Sequence, residues 1–432
     1  MINPEIKVGF DVTWMNAKNT GGGIYQYAER LITALAKHTN IGITAIISEN
    51  SGEWFKSIQE HPNFKAILLK DSISFLEVLE KEKINVVHTP VQRHRHFTVR
   101  VPLITTLHDL QHFHLADFFT DKEIQFRNLY YKKSAEFSER IIVSFKHIKD
   151  DVQKFYDISP DKIDVCPLGI DNPVELKKYE LPAIKKKYNL PESYLFYGAN
   201  TWKHKNHISL IQALKAVHGY GKKISLVCTG QKCDDFFPEI VKEVKKHDLQ
   251  EYVNFLGYIP GNEMMLIMSN AALVVIPTLY EAGSFLLLEA MKYGVPVICS
   301  NVTSLPEQIG DERFVFDPND IEQIASIISC MLNDEQLRLK NIDNSRKQIN
   351  NLKWEAKVAA YISSYEKAID GFYRKRNDKF SVDYVDSYDF FINEYYLNNI
   401  RKLQKTINSL RNSFSWRITA PLRKLQRLFL FK

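Results

Sequence analysis

Short runs of β-branched and aliphatic residues alternate with helical patterns along this chain, and the alternation starts afresh after an interruption. KVGFDVTW is followed by an amphipathic stretch from Ile24 to Lys37; GITAIIS, KAILL, INVVHTP, PLITTLHD, RIIVSF and IDVCPLG come after it, with helical segments between most of them. A strand with one wet face would alternate apolar and polar residues. These runs do not, so they read as strands covered on both sides, the mark of parallel α/β organisation. Residues 171–192, rich in Pro and Lys, break the pattern as a linker would. Beyond them YLFYGAN, KISLVCTG, VNFLGYI, LVVIPT, VPVICS and RFVFD repeat it.

At 432 residues the chain is longer than a single core usually supports. The pattern predicts an α/β chain of two doubly wound, Rossmann-like domains facing a cleft, at 1–172 and 193–355, with a linker at 173–192. A helix at 356–375 would return toward the first domain, and 376–432 would form an appended helical tail, basic and aromatic. Ligands of such sheets sit outside the carboxyl ends of the strands, so candidate site residues should lie just after strands.

Composition narrows the classes further. With 45% hydrophobic and 25% charged residues the chain is globular. Its five cysteines are scattered and form no C-x-x-C, which argues against a zinc site or a disulfide framework and suits a reducing compartment. The net charge of +6 belongs to the tail: nine positive residues and no acidic one follow Glu394, leaving the rest of the chain three charges below zero. The opening MINPEIKVGFDVTW carries no basic-then-apolar signal, and no apolar run reaches the ~18 residues of a membrane span. The expectation is a cytoplasmic protein.

Four elements pass the strand-end test. In YEAGSFLLLEAMKYG, Glu281 follows the LVVIPT strand, SFLLLEAMK has helix formers, and Gly294 stands at the helix stop. The amides of Gly283, Ser284 and Phe285 would then be open to phosphate at a helix N-terminus. Glu281 and Glu289 could accept hydrogen bonds from sugar hydroxyls, so the spacing suits a diphosphate flanked by polyols. The competing reading makes Ser284 a helix cap and the two glutamates solvated charges. TGGGIYQYAERL places Gly21, Gly22 and Gly23 between a strand and a helix, where backbone can approach a ligand or simply turn. PLITTLHDLQHFH puts His108 and Asp109 at another strand end, followed by His112 and His114; a histidine there could donate a hydrogen bond to a reacting sugar or stabilise developing charge, with a metal site and a structural role as the rival readings. In FYGANTWKHKNH, Gly198 ends a strand, Asn200 follows it, Asn206 would cap the next helix, and Lys205 could neutralise a diphosphate.

These stretches, with CPLGID and GVPVICSNVTSLPEQIGD, resemble the retaining glycosyltransferase family 4, of GT-B fold, over residues 5–370. The resemblance implies that Glu289 binds the ribose of a nucleotide-sugar and that Glu281 with the following amides holds the donor sugar. It implies that Lys205 contacts the diphosphate, that Gly22 and Gly23 admit the donor phosphates, and that His108 lies beside the transferred sugar. Front-face attack, with the leaving phosphate accepting the acceptor proton, would then need neither a carboxylate nucleophile nor a metal. The chain departs from the common E-G-F-G-L-P-x-L-E pattern with EAGSFLLLE, Ala282 and Ser284 replacing glycines and Leu286 replacing proline.

In the tail, Ile400, Leu403, Ile407, Leu410 and Phe414 form a short apolar seam, so 396–414 could pack on its own subunit or on a partner. SFSWRITAPLRKLQRLFLFK mixes aromatic and basic residues as a membrane-surface segment does, and 415–432 resembles segments of bacterial surface-polysaccharide glycosyltransferases. No nucleic-acid-binding module accompanies it. The expected activity is transfer of a sugar to a glycan or lipid-linked glycan on the inner face of the cytoplasmic membrane. A nucleotide-sugar epimerase and a catalytically silent partner subunit are the alternatives.

Overall fold

The computed structural model describes residues 6–15, 22–39, 41–49, 51–70, 74–96 and 100–375. The first sheet contains β1 (Lys7–Asp11), β2 (Gly42–Ile47), β3 (Phe64–Leu68), β4 (Val86–Thr89), β5 (Leu103–Thr106), β6 (Arg140–Val143) and β7 (Ile163–Val165), in the order β3-β2-β1-β4-β5-β6-β7. The second contains β8 (Tyr194–Gly198), β9 (Ser225–Thr229), β10 (Val253–Phe255), β11 (Leu273–Ile276), β12 (Val297–Ser300) and β13 (Val315–Phe316), in the order β10-β9-β8-β11-β12-β13. Neighbouring strands are parallel in both. Each run of apolar residues singled out in the sequence is one of these strands. Residues such as Val86, Val87, Val274 and Val275 are fully buried because helices cover both faces.

Each sheet order runs outward from one strand and then jumps to its other side. The switch points lie between β1 and β4 and between β8 and β11, where carboxyl-end loops diverge and leave a crevice. The two domains are thus Rossmann-like, as expected for a GT-B chain, and the C-terminal part of the described chain, Ile321–Lys375, is helical.

Two crossings join the domains. Ile170 donates its N–H to the Leu352 carbonyl at 2.7 Å, so the outgoing and returning strands of chain run side by side. Gly169 is required there: a Cβ would lie 2.1 Å from the buried Trp354 ring. From Trp354 a helix runs to Lys375 and buries Val358, Tyr361, Tyr365 and Ala368 in the first core. Its tyrosines are hydrogen-bonded: Tyr361 to the Cys166 carbonyl at 3.1 Å and Tyr365 to His88 at 3.0 Å. The stretch that reads as a linker is partly structured, since Leu181–Lys187 is helical, with a proline in its first turn and Ile184 in the second core.

Among the described residues no helix is long and apolar enough to cross a membrane. The tail calls at 376–432, including the seam at 396–414 and the basic-aromatic segment at 415–432, lie outside the described residues.

Candidate active site

A cavity of about 570 Å³ opens between the domains, at the loops that follow the strands. Of the residues singled out in the sequence, Gly22, Gly23, His108, Asp109, Asn200, Lys205, Glu281, Ala282, Gly283 and Phe285 line it. Gly198, Ser284 and Glu289 do not. Gly21 lies outside the described residues.

At the centre of the second domain's side, Lys205 Nζ is 2.6 Å from Glu281 Oε2, and both side chains are mostly buried. Several loops fix this pair. The His204 carbonyl accepts from Leu279 N–H at 2.8 Å and Thr278 Oγ1 at 3.1 Å, and Tyr197 donates to the Lys205 carbonyl at 2.9 Å. Thr303 accepts from Glu281 N–H, while Thr303 and Ser304 donate to the Glu281 carbonyl. This explains what SNVTSLPEQ contributes after β12: it clamps the acidic loop. Nearby, Asn200 Oδ1 accepts from Gln231 N–H at 2.8 Å, and Gly230 takes φ +122° where a Cβ would come 2.3 Å from the Ala199 carbonyl oxygen.

The loop Glu281–Ser284 leads into the helix Phe285–Lys292. Among the described residues the amides of Gly283 and Phe285 have no hydrogen-bond partner, so they are the donors available at this positive helix end. Ser284 corrects the sequence reading. Its N–H is already given to Gln308 Oε1 at 2.9 Å, and its buried hydroxyl accepts from Leu287 N–H at 3.2 Å, so it caps the helix and offers no amide to a ligand.

Glu289 stands apart from the cavity lining. Its carboxylate is buried between Arg30 Nη2 at 3.0 Å, from the first domain, and Lys292 Nζ at 3.1 Å. Arg30 also lies 4.7 Å above the Phe285 ring. In this arrangement Oε1 accepts the Arg30 hydrogen bond across the domains, while Oε2 has the Lys292 ammonium beside it and no hydrogen-bond partner among the described residues. Gly198 has a packing reason, a Cβ there falling 3.1 Å from the Phe196 ring. Asn206 does not cap its helix: it adopts φ 58°, and its amide donates to the Pro277 and Pro318 carbonyls, both at 2.9 Å.

On the first domain, Gly22 and Gly23 face the cavity in extended-to-helical backbone with φ of −66° at Gly22. Among the described residues, a Cβ at Gly22 would meet nothing within 4 Å, and one at Gly23 only the Phe285 ring at 3.6 Å, so the described packing demands neither glycine. His108 is buried, edge-on to Tyr27 at 4.7 Å, with Nε2 3.2 Å from the Pro90 carbonyl. Burial lowers its pKa, and the neutral ring must donate from Nε2 to that carbonyl. In that tautomer Nδ1 is an acceptor, able to receive a hydrogen bond from a sugar hydroxyl.

Sequence reasoning missed Trp202, Gln231 and Tyr258, which line the second domain's side, and Tyr25 on the first. Trp202 and Tyr258 are 48% and 58% exposed, so each leaves about half of its surface open at the cavity. Exposure is a tertiary property, and no local pattern reveals it. Arg30 was missed for the same reason.

Residues 21–172 match the family model Glycosyltransferase Family 4, and residues 180–348 match Glycosyl transferases group 1. O-antigen chain mannosyltransferase B of Escherichia coli is 26% identical over 268 residues, 61% of this chain and 70% of its own. O-antigen chain mannosyltransferase RfbU of Salmonella typhimurium is 26% identical over 368 residues, 78% of this chain and 97% of its own. The structure of Anabaena HepE in complex with UDP and glucose shares the fold, with a TM-score of 0.63 at 15% identity, over 83% of this chain and 100% of that one. Together the two matches span β2 to β13, on both sides of the cavity: the chain is a GT-B glycosyltransferase of the family 4 type.

Proposed function

We propose that this enzyme transfers a hexose, mannose first among the candidates, from a nucleotide-diphosphate donor to a growing glycan of a bacterial surface polysaccharide. The observation that carries the reading is the Lys205–Glu281 pair, held at the cavity centre and faced across it by Gly22 and Gly23. The two O-antigen mannosyltransferases support mannose and polysaccharide synthesis, and the UDP and glucose bound by HepE support a nucleotide-sugar in the cavity.

The diphosphate lies against Lys205 and the amides of Gly283 and Phe285, with Gly22 letting the opposite backbone approach. Glu281 accepts hydrogen bonds from the donor sugar, and the base stacks on Trp202 or Tyr258 near Gln231. The bond between the anomeric carbon and the phosphate oxygen breaks as the acceptor oxygen bonds to the same face. The acceptor proton passes to the leaving phosphate, so the anomeric configuration is retained. Lys205 and the helix end supply the positive charge that offsets the leaving group, and no metal takes part. The acceptor is a lipid-linked glycan, and the basic-aromatic segment 415–432 brings the enzyme to an anionic membrane surface.

A thermal-shift panel of GDP, UDP, CMP and dTDP with their common sugars tests the donor site. Stabilisation by one nucleotide family, followed by transfer to a mannoside with retained configuration that survives EDTA, is expected. Interconversion of the donor sugar without an acceptor would instead make the chain an epimerase. Absence of any nucleotide shift would favour a silent subunit.

A further inference from the structure

The aromatic lining of the cavity continues beyond it. The Tyr25 ring, which faces the cavity, stands 5.4 Å from the Trp54 ring and 5.1 Å from the Trp14 ring, centroid to centroid. Trp54 in turn lines a second, shallower hollow of about 510 Å³ in the first domain, with Glu29, Glu53, Lys56 and Ser57. The chain assembles this row simply. Tyr25 and Glu29 are about one turn apart on the helix Gly23–His38 and share a face, and the 3-10 helix Gly52–Ile58 packs beside it. All three rings are half-buried, although their neighbours Tyr27, Met15 and Phe55 are almost wholly enclosed.

Nothing in donor binding uses this groove. Its chemistry is that of a pyranose site: the C–H face of a sugar ring, slightly positive, lies on the negative face of an aromatic ring, and a carboxylate accepts from paired hydroxyls. Lys56 is taken up by Glu53, which leaves Glu29 as the carboxylate beside Trp54. Lys56, the cation of this lining, is paired with Glu53, so the groove offers no free ammonium to a phosphorylated or uronic acid chain and suits a neutral one.

The geometry points to this groove as the seat of the acceptor, a neutral hexose chain whose terminal unit lies over Tyr25 at the donor cavity while its preceding units lie on Trp54 beside Glu29. This assignment rests on the glycosyltransferase reading and names the acceptor class for it. Ligand-observed NMR titration of the full chain with methyl α-mannoside, α-mannobiose and α-mannotriose tests it, with thermal shift against GDP and UDP on the same samples.

The trisaccharide should bind saturably and more tightly than the monosaccharide. Trp54→Ala and Glu29→Gln should each weaken it at least about fivefold while leaving the nucleotide shift unchanged, and Trp54→Phe should keep most of the affinity. Equal affinity for mono- and trisaccharide, undiminished trisaccharide binding in both variants, or no saturable binding to the wild type would each overturn the assignment. A wild type that binds mannotriose through Trp54 but no nucleotide would leave the groove standing and count against the donor reading instead.

Discussion

On the second domain every loop that reaches the cavity is tied to another: Thr303 and Ser304 hold the Glu281 backbone, the Pro277 and Pro318 carbonyls hold Asn206, and Asn200 holds Gln231. On the first domain the lining mixes glycines that touch little and the half-buried Tyr25 with a few residues that are themselves held, such as His108 on the Pro90 carbonyl and Asp109 beside Arg127. One side is rigid before any ligand arrives, which suits stabilising charge on a leaving diphosphate. The other offers surface and space, which suits chains of varied sugars. The contrast teaches that a charged residue near the cavity must be read by its partners, since Glu281 and Glu289 share one motif and do different things.

The largest effect should come from separating those two glutamates. Glu289→Ala leaves Arg30 and Lys292 facing each other in a mostly buried site, and breaking such a cluster costs about 3–5 kcal/mol. Urea unfolding should show that loss while nucleotide affinity changes by less than about threefold. A tenfold loss of nucleotide affinity with unchanged unfolding would restore Glu289 as a ribose ligand. Lys205→Ala should do the reverse, lowering turnover by about a hundredfold or more, the usual cost of removing one fixed charge-stabilising donor, with unfolding far less affected. Comparable loss in Lys205→Arg would argue that geometry counts there more than charge.

Much of the architecture was legible. The apolar runs became the strands of the two sheets because burial on both faces writes itself into consecutive residues. Residues directly after strands reached the cavity for the same topological reason. What the sequence could not show has a different cause. Ser284, Glu289 and Asn206 were read from local motif position, but Gln308, Arg30 and Pro318 reach them from remote parts of the chain. Trp202 and Tyr258 went unnoticed because a large ring counts as core until the structure exposes it.

Two buried histidines sharpen the comparison from the side of stability. Burial lowers the pKa of His88 and of His207 from 6.5 to about 3. Below pH 6.5 the unfolded chain therefore binds protons that the folded chain refuses. Stability should fall as pH drops from 6.5 toward 3, by up to about 1.4 kcal/mol per pH unit for each such histidine. The two should differ at neutral pH. His88 bonds Thr106 at 2.8 Å and Tyr365 at 3.0 Å, whereas neither ring nitrogen of His207 has a partner among the described residues. His88→Leu should thus cost about 1–3 kcal/mol at pH 7 by orphaning the buried Tyr365 hydroxyl and leaving Thr106 with Tyr27, while His207→Leu should cost little and flatten the acid limb. Urea midpoints at pH 7 and pH 5 decide it.

The smallest change in the fold should accompany a clear change in function at Gly22. A Cβ there meets no atom of the described residues within 4 Å, and φ of −66° is open to any residue, so Gly22→Ala should alter unfolding free energy by no more than about 0.5 kcal/mol. Gly169→Ala is the contrasting control, because its Cβ would enter the Trp354 ring. If Gly22 is a glycine for the ligand's sake, the added methyl occupies space the donor phosphates need, and the donor KM should rise while the acceptor KM stays. A silent substitution by both measures would remove the first domain from donor binding. The donor would then rest wholly on the rigid side, and Gly22 would be nothing more than a turn.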